Sequence, residues 1–161
     1  MRHAEAFVTP RLSADRVRFP HVHWWAALFR NPDVTASDAR VWTADRIAKG
    51  FARQLFRWET LGLGYWVFTL RADGRFVGIA GLRDRPEGVE LGYAVLPEFR
   101  RRGMATEMAR GVLGVAPPAR VFARTRLTHA ASRRVLEKVG FKFEAEGWED
   151  GTPQALYRWR P

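Results

Sequence analysis

The sequence contains no cysteine, which excludes structural disulfides, cysteine-ligated metal sites and a catalytic thiol. Long apolar runs are also missing. None approaches the roughly 20 residues of a membrane-spanning helix, and the segment before Phe7 lacks the apolar stretch of a signal peptide. The histidines show no metal-site spacing apart from His21 and His23, a pair that we interpret as chance. We therefore expect a cytoplasmic protein that neither binds a metal nor enters a membrane.

Lysine is scarce, since only Lys49, Lys138 and Lys142 occur and arginine carries the remaining positive charge. The formal net charge is +10, which favours an anionic partner such as a polyphosphate cofactor or nucleic acid. The basic residues are spread along the chain, which argues against a disordered nucleic-acid-binding arm. Neither a Walker A loop nor a G-x-G-x-x-G fingerprint is present.

The length of 161 residues, with 47% hydrophobic residues and no visible linker or repeat, predicts a single domain over residues 1–161. Apolar periodicity and turn signals predict an α+β fold with helices on a sheet. Strands are expected at 11–19, 65–71, 75–82, 89–96, 120–125, 141–146 and 154–159. Helices are expected at 21–30, from the N-cap Thr43 to about Glu59, at 104–115 before Pro117-Pro118, and at 130–139 before Gly140.

The segment from Leu91 to Glu107 is the most informative part of the chain. An apolar strand runs into Pro97, then into three arginines, Gly103 and the start of a helix. Glycine lets the backbone approach an anion closely, and the first amides of a helix lack intrahelical acceptors. The helix dipole and the neighbouring guanidinium groups add positive charge. This order indicates a phosphate-binding loop, and the alternative is an ordinary strand–turn–helix connection with solvated arginines.

Residues 128–141 form a second motif, which we interpret together with this loop. It contains Ser132 followed by Val135-Leu136-Glu137-Lys138-x-Gly140-Phe141, and the loop itself reads Arg100-Arg101-Arg102-Gly103-Met104-Ala105. Together they resemble the acetyl-CoA loop and second motif of the GNAT superfamily of N-acetyltransferases. Within it the chain is most similar to the branch that acetylates N-termini of ribosomal proteins, the Rim type. Segments 9–12, 31–34, 90–93 and 105–107 are also typical of this branch.

The resemblance implies the GNAT acyl-CoA N-acyltransferase fold, a central mixed and mostly antiparallel sheet flanked by helices, in a monomer or homodimer. It implies acetyl-CoA as co-substrate and a primary amine as acceptor, which attacks the thioester directly. The diphosphate would lie on the amides of residues 101–106, and the pantetheine arm between the strand ending at Val95 and the next strand. The expected cofactor-binding residues are Val95, Arg100, Arg101, Arg102, Gly103, Met104, Ala105, Thr106, His129 and Ser132.

The same resemblance suggests catalytic roles. An amine attacks only as the free base, which is about a tenth to a fifth of an N-terminal amine at pH 7 and under a thousandth of a lysine. A proton acceptor is therefore needed, and Glu90 is the first candidate, with a solvated strand-end charge as its alternative role. Glu149 or Asp150 is the second candidate. A backbone N–H near Val95 would stabilise the oxyanion.

Ser132 is expected to donate to the leaving sulfur or to relay a proton, unless it only caps or packs a helix. His129 stands where the family has asparagine. A catalytic role for this histidine is conceivable, and a surface histidine that starts a helix is the simpler interpretation. Six tryptophans are candidates for an acceptor cleft or for the core: Trp24, Trp25, Trp42, Trp58, Trp66 and Trp148.

The sequence leaves the acceptor open among a protein N-terminus, a polyamine, an aminoglycoside-like amine and an amino acid. Two other functions remain as alternatives. A catalytically silent acyl-CoA-binding or regulatory module would bind acetyl-CoA without turnover. A basic nucleic-acid-binding protein would need arginines clustered on one face and binding that falls steeply with salt.

Overall fold

The computed structural model describes residues 4–36, 38, 40–115 and 120–160. Within this part the chain forms one eight-stranded sheet and five α-helices. The strands are β1 (Ala6–Val8), β2 (Leu12–Arg16), β3 (Tyr65–Leu70), β4 (Phe76–Arg85), β5 (Gly88–Val95), β6 (Val121–Arg126), β7 (Phe141–Glu149) and β8 (Thr152–Trp159). The helices are α1 (Val22–Arg30), α2 (Pro32–Thr35), α3 (Ala44–Leu61), α4 (Met104–Val115) and α5 (Ala130–Lys138).

The strand order is β1-β2-β3-β4-β5-β6-β8-β7. All neighbours are antiparallel except β5 and β6, which run parallel. This parallel pairing covers only Val89 with Val121 and Glu90 with Phe122. Beyond Glu90 the two strands diverge, and a gap opens in the middle of the sheet. The predicted mixed, mostly antiparallel sheet flanked by helices is confirmed.

Helices cover both faces of the sheet. On one face the Trp25 ring of α1 meets the Tyr65 ring of β3 edge to face, 6.3 Å between centroids. On the other, Tyr93 of β5 contacts Ser132 of α5, and α4 packs against β4 and β5 through residues such as Met108, which is fully buried. The side chains on both faces of the sheet are thus covered by helices. Among the described residues no helix is long and apolar enough to cross a membrane.

The helices begin and end for local reasons. Thr43 Oγ1 accepts a hydrogen bond from the Arg46 amide at 3.2 Å, and α3 stops at Gly62, whose φ of 61° is left-handed. The predicted N-cap is therefore confirmed, and the helix extends two residues past the predicted end at Glu59. Helix α4 has the predicted bounds, whereas Pro117 and Pro118 lie outside the described residues.

Two elements were not predicted. Strand β1 has only three residues, too few to show an alternating pattern. Helix α2 is a single turn, begun by Pro32 at its first position and by Asn31, whose side chain accepts from the Asp33 amide at 3.0 Å. The sequence pattern predicts the end of α1 at this Asn-Pro and no helix after it. The predicted strand 11–19 is shorter than expected, because the chain enters a 3-10 turn at Phe19–His21.

Candidate active site

One cavity of about 780 Å³ opens between the diverging strands β5 and β6, the starts of α4 and α5, and the segment from α1 to α3. Most predicted site residues line it. They are Glu90, Val95, Arg100, Arg101, Gly103, Met104, Ala105, Thr106, His129 and Ser132. Arg102 does not line the cavity. Its side chain is exposed, and its carbonyl accepts a hydrogen bond from Arg11.

The loop before α4 presents a row of free amides to this cavity. Within the described residues, none of the backbone N–H groups from Arg101 to Thr106 donates to a protein acceptor, and Glu107 is the first to do so, to Gly103 O at 3.0 Å. Left-handed backbone at Arg101 (φ 60°) and Gly103 (φ 74°) turns the chain into the helix. Successive free amides at a helix N-terminus form an anion-binding concavity.

Glu107 fixes this loop to the N-terminal hairpin. Its carboxylate accepts from Thr9 Oγ1 at 2.6 Å and from the amide and Nε of Arg11 at 2.7 and 2.6 Å. Burial acts to raise the pKa of Glu107, but these bonds hold it below its usual range. Arg11 also donates to Arg102 O at 2.8 Å. The loop carbonyl is thereby turned away from the cavity, while the amides stay directed toward it.

Arg100, unlike Arg101 and Arg102, binds the backbone of α2. Its guanidinium donates to Asp33 O of α2 at 2.9 Å, so it joins the loop to the segment that closes the cavity. The remaining basic side chains at this end come from β6 and α5 and line the cavity with Arg101. They are Arg126, Arg134 and Lys138.

The gap between β5 and β6 exposes backbone donors of β5. The Leu96 amide donates to Val77 O of β4 at 2.9 Å. Because N–H directions alternate along an antiparallel ladder, the amides of Tyr93 and Val95 point away from β4 and into the gap. The predicted donor near Val95 is therefore available where the strands separate.

Ser132 has a partner that the sequence did not reveal. The Tyr93 hydroxyl lies 2.8 Å from Ser132 Oγ and 3.1 Å from Ser132 O. Burial raises the pKa of Tyr93 to about 12. The phenol therefore stays protonated at neutral pH and remains a hydrogen-bond donor. Both side chains line the cavity on the face of the sheet covered by α5.

Glu90 is surrounded by arginine. Its carboxylate lies 3.1 Å from Arg83, 2.8 Å from Arg85 and 3.4 Å from Arg124, and its side chain is only 3% exposed. Burial acts to raise the pKa of Glu90, but the three guanidinium groups hold it below its usual range. A carboxylate stabilised in this way is a weak proton acceptor. These contacts argue against the predicted role of Glu90 as the general base.

The family model of the acetyltransferase (GNAT) domain matches residues 11–142 of the sequence. The chain belongs to the GNAT acetyltransferase family. No curated protein sequence matches it.

Solved GNAT structures share the fold at low sequence identity. A GnaT-family acetyltransferase from Bordetella pertussis is 22% identical, with a TM-score of 0.85 over 98% of this chain and 100% of that chain. An acetyltransferase from Agrobacterium tumefaciens is 18% identical, with a TM-score of 0.85 over 100% and 97%. RimL, a ribosomal-protein acetyltransferase solved in complex with coenzyme A, is 13% identical, with a TM-score of 0.77 over 94% and 95%.

The other half of this GNAT cavity carries further carboxylates. Asp38 accepts from Nε and one terminal guanidinium nitrogen of Arg40 at 3.0 and 3.1 Å, and Arg40 Nε lies 3.9 Å from Asp150. Glu149 also lines the cavity and has no ion pair within 4 Å among the described residues. Of the two alternative proton acceptors predicted from the sequence, Glu149 is thus the one without a fixed partner.

His129 lies at the mouth of the cavity, just before α5. Burial first, and then the charges of Arg100 and Arg126, lower the pKa of His129. A neutral imidazole offers one donor and one acceptor, as the asparagine of the family motif does. His129 is therefore both the N-cap residue of α5 and part of the cavity wall.

Only one of the six tryptophans named as cleft candidates, Trp42, lines this cavity, where it stacks on Phe29 at 4.2 Å. Trp25, Trp58 and Trp66 are buried core residues, and Trp148 is exposed. The site residues that sequence reasoning missed are Tyr65, Arg83, Tyr93 and Arg124. Tyr93 stood inside a recognised motif, but its contact with Ser132 depends on tertiary structure.

Proposed function

We propose that this chain transfers an acetyl group from acetyl-CoA to a primary amine, either a protein N-terminus or a small-molecule amine. One observation carries the proposal: the free amides of residues 101–106, the open donors of β5 and the Tyr93–Ser132 pair all face one continuous cavity. When bound there, acetyl-CoA supplies an activated thioester. The residues described below bind it, orient it and move protons.

The amides of residues 101–106 would hold the diphosphate, since they combine free N–H groups with the positive end of the α4 dipole. Arg101, Arg126, Arg134 and Lys138 add charge at the same end. Arg102 does not line the cavity, and Arg100, which does, also donates to Asp33 O, so we assign the charge of this site chiefly to the other cavity-lining side chains. The Val95 amide would receive the oxyanion in the gap between β5 and β6.

Ser132 would donate its hydroxyl proton toward the leaving sulfur, with Tyr93 donating to Ser132 Oγ. In this arrangement the phenol fixes the serine oxygen, and the serine hydrogen is free to face the cavity. Glu149 would take the proton that the acceptor amine loses. It lies in the acceptor half of the cavity and is not tied to an arginine within 4 Å in the described part.

Membership of the ribosomal-protein branch remains part of this proposal. It rests on the sequence motifs and on the likeness to RimL, which at 13% identity shows the fold alone. A protein N-terminus is the acceptor that this branch would imply. The cytoplasmic location and the monomeric or homodimeric state stay predictions of the sequence.

Acetyl-CoA is expected to raise the thermal midpoint of the protein, because a ligand at 100 times its Kd stabilises the folded state by about 2.7 kcal/mol. For a chain of this size the midpoint should rise by about 5–10 °C. Differential scanning fluorimetry with acetyl-CoA, desulfo-CoA and ATP measures the effect. The two CoA compounds should act alike, and ATP should act weakly. No shift at millimolar acetyl-CoA contradicts the proposal, whereas a shift without turnover of any amine identifies a silent binding module.

Tyr93→Phe and Ser132→Ala are expected to lower kcat about tenfold or more with little change in KM for acetyl-CoA, since each removes a donor that serves the leaving sulfur. Because the chain has no cysteine, coenzyme A carries the only thiol in the complex. The pH dependence of iodoacetamide alkylation at saturating enzyme therefore reports on that thiol alone. Its midpoint should lie higher in both variants than in the wild type. An unchanged midpoint would show that neither side chain serves the sulfur.

A further inference from the structure

Tyr65 lies on the face of the sheet opposite Tyr93. It is the first residue of β3 and pairs with Gly81 of β4, which pairs in turn with Gly92 of β5. A Cβ atom on Gly92 would collide with the Tyr65 hydroxyl oxygen. Gly92 thus leaves room above β5, and the Tyr65 phenol occupies it, whereas Gly81 allows the close approach of the Gly64–Tyr65 backbone. The Tyr65 hydroxyl reaches the strand whose free amides face the gap.

The Tyr65 hydroxyl has no hydrogen-bond partner in the described part of the chain. The backbone of Tyr65 is engaged, since its amide donates to Gln54 Oε1 at 3.3 Å and its carbonyl accepts from Trp58 Nε1 at 2.8 Å. For the hydroxyl, no hydrogen bond exists among the described residues. Polar groups in such buried residues are normally paired. Tyr65 is 7% exposed and lines the cavity, so this hydroxyl is available to a bound molecule.

Arg83 stands beside it on the same face of β4. It lies two positions beyond Gly81, the pairing partner of Tyr65, and lines the same cavity. One guanidinium nitrogen contacts Glu90 at 3.1 Å, while the buried Nε has no hydrogen-bond partner in the described part. Glu90 is shared with Arg85 and Arg124. The three guanidinium groups therefore offer more N–H donors than the Glu90 carboxylate can accept.

An acceptor molecule that binds here must supply lone pairs next to its amine. A simple alkylamine brings none besides the attacking nitrogen. It would leave the Tyr65 hydroxyl, and the Arg83 N–H groups that do not face Glu90, without acceptors after water is displaced. A carbonyl or carboxylate oxygen on the carbon attached to the amine-bearing carbon would satisfy them. Sites built around such donors reject analogues that lack the matching group.

We propose that Tyr65 and Arg83 form a donor pair that selects acceptors with an α-amino carbonyl group, as in an α-amino amide, a peptide N-terminus or an α-amino acid. The selection rests on the proposed acetyl transfer, and it adds to it the class of amine and the two side chains that recognise this class. Tyr65 donates to the oxygen from the β3 side, and Arg83 supplies the positive charge next to it.

Tyr65→Phe tests the pair with three amines: alaninamide, alanine and isopropylamine, which has the same branched skeleton without the carbonyl group. The variant should lose about tenfold or more in kcat/KM for alaninamide or alanine, and less than twofold for isopropylamine. Comparing variant with wild type for each amine cancels the differing basicity of the three. The preferred substrate of the wild type tells a peptide-like carbonyl from a free carboxylate.

Tyr93→Phe is the matched control, because it removes the same hydroxyl from the opposite face of the sheet. It should slow all three amines equally. The thermal midpoint and the affinity for acetyl-CoA should not change in Tyr65→Phe, since the lost hydroxyl bonds to no described residue. Equal losses for all amines, or no loss for any, overturn the inference alone. Failure of the wild type to acetylate any amine, with acetyl-CoA bound, overturns it together with the proposed function.

Discussion

Glu90→Gln is expected to lower the free energy of unfolding by about 3 kcal/mol, the low end of the cost of leaving buried charges without their partner. The low end applies because the three guanidinium groups that surround Glu90 keep 23–31% of their side-chain surface exposed. Glutamine preserves the shape of the residue but removes the one negative charge that, among the described residues, contacts all three. Urea denaturation at pH 7 measures the loss.

The pH dependence of this loss follows from the direction of the pKa shift. The pKa of Glu90 is lower in the folded chain than its usual value. Its stabilising effect is therefore complete above the pKa of an unfolded glutamate, about 4.3, and is lost as the pH falls through the folded pKa. The difference in stability between wild type and Glu90→Gln should be constant from about pH 6 to 8 and should shrink only in acid.

Glu87→Gln is the control, since Glu87 is exposed in the turn before β5 and forms no ion pair within 4 Å among the described residues. It should change the stability by less than about 0.5 kcal/mol. The double variant with Arg85→Gln and Glu90→Gln should lose less than the sum of the single losses, because fewer positive charges are left uncompensated. A loss for Glu90→Gln no larger than that of the control would contradict a structural role for the ion pairs.

The local parts of the site were within reach of the sequence. The glycine and the arginines before α4 predicted its start and its free amides, and Pro117-Pro118 predicted its end, because turn chemistry and helix termini depend on neighbouring residues. Elements without a pattern of their own were missed. The three residues of β1 and the single turn of α2 are too short for periodicity, and only pairing with β2 and capping by Asn31 define them.

The contacts that assign chemistry were out of reach, because strand register and helix packing determine them. Arg83 contacts Glu90 because the register of β4 and β5 places these two residues opposite each other. Arg124 contacts Glu90 from the neighbouring strand β6. The sequence shows Glu90 at a strand beginning, where a solvated carboxylate would be a fair proton acceptor. Likewise, Tyr93 and Ser132 are 39 positions apart, and nothing in either motif shows that their side chains meet.

Glu149→Gln is expected to lower kcat at pH 7 by about 100-fold, the lower end of general acid–base contributions, without changing the unfolding free energy. Glu149 forms no ion pair within 4 Å in the described part of the chain. Its charge acts on Arg83 only at longer range, and Arg83 keeps Glu90 as its partner in the variant. In the variant only amine that is already neutral can react. Its rate should therefore keep rising with pH up to the pKa of the acceptor amine, whereas the wild type should level off earlier.

Two further variants separate the possible proton acceptors. Glu146→Gln changes the same charge at an exposed position of β7 and should leave kcat and its pH profile unchanged. Asp150→Asn keeps a residue type that tolerates the left-handed backbone at this position (φ 49°), and a larger effect there than at Glu149 would move the proton-accepting role by one residue. Unchanged kinetics in both Glu149→Gln and Asp150→Asn would return the role to Glu90 or to water. Because Glu90 is tied to three arginines and Glu149 is not, we expect loss of activity without loss of stability at Glu149, and loss of stability at Glu90.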